Sequence, residues 1–331
     1  MNEVPRISVI IPTRNGAATL PKCLESLRSA SIKPHEIIVV DDASNDGSAE
    51  IAARFKCRVI SLKENIGAAR AKNRGAAVAT GDILFFTDDD VFISKDALAI
   101  MIENFTDPRV AGVVGLQDCS LPFLDFASNY KNLWMRFTYS QLPRTGIGVF
   151  YTTVAAIRRE VFQQVGGFDE SYRGASICED TEFGQRVWGA GHLLLSDPRV
   201  TVTHCKHYTP LTVLLTDFLR ARALTLMRFR KWGSKFYTTV PLVYKLAVPT
   251  IFAAFGTLLI YVVIGNWLLA ALGIAFFITF YFFLFTWLVF LARERGVRFA
   301  VFAVLFQPVN AVVVGAGILA AVVDFARGRR Y

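Results

Sequence analysis

The sequence is short of cysteine, and the few it has are dispersed: Cys23, Cys57, Cys119, Cys178 and Cys205, odd in number and with no CxxC pair. That pattern argues against a disulfide framework and fits a reduced, cytosolic compartment. No secretory signal opens the chain, because residues 1–6 lead directly into a strand-like apolar run at 7–11. No internal repeat and no low-complexity segment is present. No GxGxxG follows the first apolar run, where a dinucleotide site requires it, and Gly146 and Gly148 lie far from that position. This disfavours a dehydrogenase or a nucleotidyltransferase. The last absence is of charge: residues 246–292 and 299–323 contain no Asp, Glu, Lys or Arg.

Those two stretches account for an apolar content of 53% in 331 residues; the remainder reads as an ordinary soluble domain. Length alone suggests about two domains. Residues 267–291 exceed the ~20 residues a bilayer core requires, as do 299–323 despite Gln307, Pro308 and Asn310. Residues 249–264 reach that length only when counted from 246. Three spans result, with Gly265 and Asn266 as a tight external turn. So few spans, with no charge inside them, disfavour a transporter.

Net charge is +9, and its position points to the anionic partner. Between 210 and 245 lie Arg220, Arg222, Arg228, Arg230, Lys231, Lys235 and Lys245, opposed only by Asp217 and interleaved with Leu214, Leu215, Phe218, Leu224 and Phe229. Just ahead of membrane spans, such a segment predicts an interfacial helix on an anionic membrane surface, in preference to a solvated basic helix or a nucleic-acid partner. The positive-inside rule places this segment and the 293–298 loop in the cytosol but leaves Arg327, Arg329 and Arg330 outside. Either that tail is an exception or one apolar segment is re-entrant or interfacial.

From 7 to 116 strand-like and helix-like segments alternate. Strands are expected at 7–11, 36–40, 58–62 and 83–86, and helices at 19–30, 48–55, 67–79 and 96–104. This order predicts an α/β fold with a mostly parallel sheet and helices on both faces. Residues 112–204 are less regular, with helices expected at 159–165 and 180–189 and a strand at 201–203. Ligands of such sheets bind beyond the carboxyl ends of the strands. Two acidic clusters fall there: Asp41 with Asp42, and Asp88, Asp89 and Asp90.

The second cluster is the most informative feature. Three adjacent carboxylates repel one another, and a hard divalent ion such as Mg²⁺ or Mn²⁺, shared with substrate phosphate, offsets that repulsion. The competing reading is a solvated acidic turn. Asp41 and Asp42 have a similar alternative as caps of the ASNDG turn, and Glu179 and Asp180 as acids at a helix N-terminus. Arg70, Lys72 and Arg74 read mostly as a solvated face, with phosphate contact as the alternative. Cys178 has no assignable histidine partner for nucleophilic chemistry.

Spaced motifs run along residues 8–192: SVIIPTRN at 8–15, VVDDASNDGS at 39–48, FFTDDDVF at 85–92, QVGGFDE at 164–170 and CEDTEFGQRVWGAGH at 178–192. On these, residues 7–204 strongly resemble the family 2 glycosyltransferases with the GT-A fold. The resemblance implies roles position by position. Asp42 accepts a hydrogen bond from the nucleotide base, with Asp41 close to the ribose or base, and Pro12 and Asn15 line the nucleotide pocket. Asp88 and Asp89 belong to the nucleotide-sugar contacts. Asp90 is the better metal ligand, with Asp88 as the other outer member of a DxD-type motif, and His204 completes the metal shell. Asp180 is the catalytic base. Gly166, Gly167, Phe168, Asp169 and Glu179 shape the acceptor side.

The organisation expected is a GT-A domain at 1–209, a basic interfacial segment at 210–245 and a transmembrane domain at 246–331. The expected activity is inverting transfer, assisted by Mg²⁺ or Mn²⁺, from a nucleotide-sugar to a lipid, lipid-linked or membrane-proximal hydroxyl. The protein is then a multi-pass protein of the cell membrane with its catalytic domain in the cytoplasm. Processive members of the family carry QxxRW near the membrane; here the stretch is Arg228, Phe229, Arg230, Lys231, Trp232, which favours transfer of a single sugar. The alternative is a non-catalytic nucleotide-sugar-binding membrane protein.

Overall fold

A computed structural model describes residues 4–172, 178–229 and 236–328. Arg230, Lys231, Trp232 and Lys235 of the basic stretch, and Arg329 and Arg330 of the tail, lie outside the described residues. The chain forms two compact units: Met1–Phe123 with Tyr139–Lys206, and Leu124–Thr138 with His207–Tyr331. The sequence division at residue 209 assigns 124–138 to the first domain; by its contacts this segment belongs to the second unit.

The first unit is built on an eight-stranded sheet. Its strands are β1 (Ile7–Thr13), β2 (Glu36–Asp41), β3 (Arg58–Ser61), β4 (Ile83–Phe86), β5 (Val91–Ile93), β6 (Val110–Gln117), β7 (Ala155–Arg158) and β8 (Leu193–His204), and their spatial order is β3-β2-β1-β4-β7-β6-β8-β5. β1, β2, β3 and β4 pair in parallel, as does β6 with β8, whereas β7 is antiparallel to β4 and β6, and β5 to β8. The helices are α1 (Leu20–Ser29), α2 (Ser48–Arg54), α3 (Ala68–Val78), α4 (Ala97–Asn104), α6 (Arg159–Val165) and α7 (Glu179–Gly189). The alternating half follows the sequence reading closely. The second half adds β5, β6 and β7, which the sequence reading does not assign. β6 is buried along its whole length, so it has no alternation to reveal it, and β7 is only four residues long.

Packing explains two details that matter for the site. α3 turns Ala69, Lys72, Gly75 and Ala76 inward. A Cβ on Gly75 would stand 2.6 Å from Ile10 Cγ2, so only glycine lets this helix lie so close to β1. Behind α6 and α7, Phe86, Phe150, Phe162, Phe168 and Phe183 form a buried aromatic cluster, with Phe168 centred 5.2 Å from Phe86 and 4.8 Å from Phe183. Each such ring contributes about 1.5–3 kcal/mol by burial.

The second unit comprises α5 (Phe126–Tyr139), α8 (Pro210–Met227), α9 (Leu242–Ile264), α10 (Trp267–Arg295) and α11 (Val297–Ala326). The last three are long and apolar enough to cross a membrane, with mean hydropathies of 2.2, 2.4 and 2.1. They expose Val262, Phe282 and Leu305, each more than two-thirds accessible, a surface suited to lipid rather than to water. These helices anchor the chain in a membrane. Gly265 makes the turn between α9 and α10 at φ 74°, and Asn266 caps α10 by accepting from Leu268 N at 3.0 Å. α8 opens with a capping box between Thr209 and Thr212. It packs on α11, where Gly317 abuts the Phe218 carbonyl and Arg222 bonds Asp324 at 2.6 Å. Part of the basic segment is therefore engaged with α11.

Candidate active site

Parallel pairing of β1 with β2 and β4 brings their carboxyl ends to one edge of the sheet. Thr13, the last residue of β1, links the two acidic clusters found there. Its carbonyl accepts the Asp42 N–H at 2.8 Å, and its hydroxyl donates to Asp89 Oδ2. A Cβ on Gly16 would collide with that hydroxyl and with the Asp89 carboxylate, so the loop after β1 needs glycine here.

The three aspartates diverge. Asp89 turns toward Thr13, and burial pushes its carboxyl up to about 7, with Asp90 and Asp88 adding to the push. A proton on Asp89 relieves the mutual repulsion, as a cation bound to its neighbours also would. Asp88 accepts the Thr153 hydroxyl at 2.9 Å. Asp90 Oδ1 lies 3.2 Å from His204 Nε2. Burial disfavours charge on Asp90, yet the His204 ring and Lys206 hold its carboxyl below the usual range.

One ligand atom from each of Asp88, Asp90 and His204 can be chosen so that all three lie within 4.8 Å of one another. Two carboxylate oxygens and an imidazole nitrogen form a donor set that suits a divalent ion with a preference for oxygen. Gln117, at the end of β6, lies with Nε2 2.8 Å from His204 Nδ1 and also bonds the Tyr151 hydroxyl. Its amide thus orients the ring so that Nε2 faces Asp90. If a cation occupied Nε2, the ring proton would sit on Nδ1 and the Gln117 amide would turn its oxygen to accept it.

Lys72 joins this group to the acidic start of α7. It is 3% exposed and donates to Glu179 at 2.9 Å and to the Thr152 hydroxyl at 2.6 Å, with its Nζ 5.6 Å from the centre of the Phe168 ring. Burial works against its charge, but Glu179, Asp88 and Asp180 outweigh that and raise the ammonium above the usual lysine range. Lys72 departs from the reading of Arg70, Lys72 and Arg74 as mostly a solvated face, while Arg74 is exposed as expected. The signal was present: Ala69 and Ala76 flank Lys72 at i−3 and i+4, on the inward face of the helix. Lys72→Met is expected to remove the cation beside the half-buried Glu179 carboxylate and to cost up to about 3 kcal/mol, the lower end of the range for a buried pair. A lowered melting temperature, largely restored in Lys72→Met/Glu179→Leu, is the check; an unchanged melting temperature would mean the pair contributes nothing.

The remaining predicted residues fall into two groups. At the β2 edge, both oxygens of Asp42 are taken by backbone N–H groups, Ile66 at 2.7 Å and Gly67 at 3.0 Å. Asp41 accepts Ser44 N at 3.1 Å through Oδ1. Asn15, at φ 57°, exchanges bonds with Ser44 and Asn45, and Pro12 is half-buried in β1. These contacts fix the two loops to each other. The second group braces helices. Asn73 bonds Phe168 through both its N–H and its carbonyl at 2.9 Å each, and Arg186 reaches the carbonyls of Val165 and Gly167. Gly167 takes φ 67°, Phe168 lies in the aromatic core, and Asp169 caps the turn at Ser171. Cys178 is buried, with φ 62° immediately ahead of Glu179. Asp180 sits in the first turn of α7, accepting from Thr181 N at 2.7 Å.

Sequence reasoning missed Gln117, Tyr151, Thr152 and Thr153. The last three are consecutive, and each holds a different site residue or its support. No motif marks them, because polar residues between short strands have no periodicity.

Residues 8–166 match the family described as Glycosyl transferase family 2. The chain is 27% identical over 219 residues to the O-antigen chain rhamnosyltransferase RfbN of Salmonella typhimurium, covering 62% of this chain and 68% of that protein. It is 29% identical over 206 residues to the pre-mycofactocin glycosyltransferase of Mycobacterium tuberculosis, covering 60% of this chain and 42% of that one. Among solved structures, the mannosyltransferase PcManGT from Pyrobaculum calidifontis, in complex with GDP-Man and Mn²⁺, superposes with a TM-score of 0.64 at 20% identity, over 95% of this chain and 87% of that one. The likeness to that structure carries the fold, and the sequence match carries a similarity to the family over residues 8–166. Over residues 8–166 this chain is similar to the family 2 glycosyltransferases, in a unit with the GT-A fold, and its second unit carries three helices long and apolar enough to cross a membrane.

Proposed function

We propose that the protein moves a sugar from a nucleotide-sugar to a lipid, lipid-linked or membrane-proximal hydroxyl, with inversion at the anomeric carbon, on the cytoplasmic side of the cell membrane. The observation that carries this reading is the grouping of Asp88, Asp90 and His204, with Asp88 held by Thr153 beside Thr152, which together with Glu179 holds Lys72. The relatives' action on O-antigen supports the lipid-linked acceptor, and the length and apolarity of α9, α10 and α11 support the anchor.

Asp88, Asp90 and His204 would hold Mg²⁺ or Mn²⁺. When bound, such an ion offsets the charge that develops on a departing nucleoside diphosphate. Asp180 takes the proton of the attacking hydroxyl, and attack from the face opposite the leaving group gives inversion. Lys72 keeps Glu179 beside Asp180 and holds positive charge between that pair and Asp88. Asp42, whose two oxygens each accept one backbone N–H and keep a further lone pair, accepts a hydrogen bond from the nucleotide base, with Asp41 close to the ribose or base and Asn15 and Pro12 along the same loop. The basic residues of 210–245 complement an anionic leaflet.

The test is a donor screen with full-length protein, membrane lipid extract and Mn²⁺ or Mg²⁺. UDP-, GDP- and dTDP-sugars are offered, and nucleoside diphosphate release is measured. One donor class consumed only with the ion and the lipid is the expected result. No release from any donor overturns the reading.

A further inference from the structure

α9 and α10 form an antiparallel hairpin whose register is fixed at three levels. The Tyr244 and Thr286 hydroxyls bond one another, Phe255 meets Phe277 at 6.4 Å, and a Cβ on Gly273 would stand 2.6 Å from Leu258 Cγ. This register sets Tyr281 about level with Thr250. α11 does not follow the hairpin outward. Its Val304 carbonyl accepts the Tyr281 hydroxyl at 2.9 Å. Eleven residues later, a Cβ on Gly315 would lie 3.2 Å from Val248 Cγ1 and 2.3 Å from Phe252 Cε2. An α-helix advances about 16 Å over such a stretch, yet both contacts fall at one level of the hairpin. α11 therefore runs across the hairpin, near the end where α9 begins. Residues 259–268, at the hairpin's tip, are exposed throughout.

α8 accompanies α11 in this direction. The Phe218 carbonyl meets Gly317, Arg222 bonds Asp324 at 2.6 Å, and Phe229 meets Phe325 at 5.4 Å. If α11 crossed the bilayer, α8 would cross beside it. That would carry the Arg222–Asp324 pair and the Lys131–Asp217 pair through hydrocarbon, where ionised side chains are costly. α11 also keeps an exposed apolar strip, Val301, Leu305, Val309, Leu319 and Val323, along nearly its whole length.

We propose that only α9 and α10 cross the membrane, and that α11 lies in the plane of the cytoplasmic leaflet beside α8, its exposed strip resting in the acyl layer. The chain then has two spans, although the hydropathy of three helices would allow three, and both of its ends fall on one side. The conflict with the positive-inside rule disappears, because Arg327, Arg329 and Arg330 stay with the basic residues of 210–245. The name of that side rests on the proposed function; the two-span path does not.

Protease protection of the full chain tests the path, with one epitope tag before Met1 and another after Tyr331, in sealed right-side-out and inside-out vesicles. Both tags are expected to be cleaved together, in inside-out vesicles only. Cleavage of both in right-side-out vesicles only would keep the two-span path and overturn the cytoplasmic placement of the proposed function. Cleavage of the two tags in opposite preparations would mean that α11 crosses, and overturns the proposal. Spin labels at Leu305→Cys or Leu319→Cys, with the five native cysteines replaced by alanine, report depth. Both are expected about 5–10 Å below the headgroup boundary. A difference near the ~21 Å that fourteen helical residues advance would overturn the proposal. The tag arm requires no substitution, and it decides if the cysteine-free chain fails to fold.

Discussion

Asp180→Asn is expected to lower the rate of sugar transfer about 10²–10⁴-fold, the usual contribution of a positioned general base, while donor affinity stays within a small factor. The reason is geometric. Asp180 stands in the first turn of α7, next to Glu179, whose carboxylate is held by Lys72 at 2.9 Å. Asparagine keeps the size of the side chain but cannot take a proton from an acceptor hydroxyl. The check is single-turnover transfer alongside nucleotide binding by calorimetry. If kcat is unchanged and only the acceptor KM rises, Asp180 positions the acceptor and another group is the base.

The second large effect is expected from Asp90→Ala. Asp90 pairs with His204 at 3.2 Å and shares a possible ligand cluster with Asp88. Its loss should remove a carboxylate from the cation site and leave His204 without its acidic neighbour. Transfer should fall at least about 10²–10³-fold, the scale on which electrostatic stabilisation of a leaving group operates. Manganese titration followed by electron paramagnetic resonance supplies the independent readout: wild type should bind the ion in the presence of nucleoside diphosphate, and Asp90→Ala should bind it weakly or not at all. Undiminished manganese binding would place the ion elsewhere. Asp89→Asn is the informative contrast, since Asp89 faces Thr13 and its replacement should leave manganese binding largely intact.

Asp42 and Lys72 show how far residue identity reaches. Asp42 was legible as important, because acids at a strand end are conspicuous. Which oxygen it offers, and to what, was not: its carboxylate closes the 66–67 loop onto β2. Lys72 was legible only as one of three basic residues on a helix. Its burial follows from α3 lying flat on β1 through Gly75, and nothing local to Lys72 states that a strand will pass so close. Gln117 is more extreme, a single amide at the end of a strand that sequence periodicity did not reveal.

The pattern of apolar residues and strand-end carboxylates by itself determined the alternating half of the sheet, the three long apolar helices and the chemical type of the site. Those depend on periodicity and length, which are local properties of a chain. Only the tertiary structure decided which side chains share a charge or a proton. Thr13 meets Asp89 across 76 positions, Gln117 meets His204 across 87, and Lys72 meets Glu179 across 107. Such contacts form because separate elements are packed against one sheet, and distance in sequence leaves no trace of closeness in space.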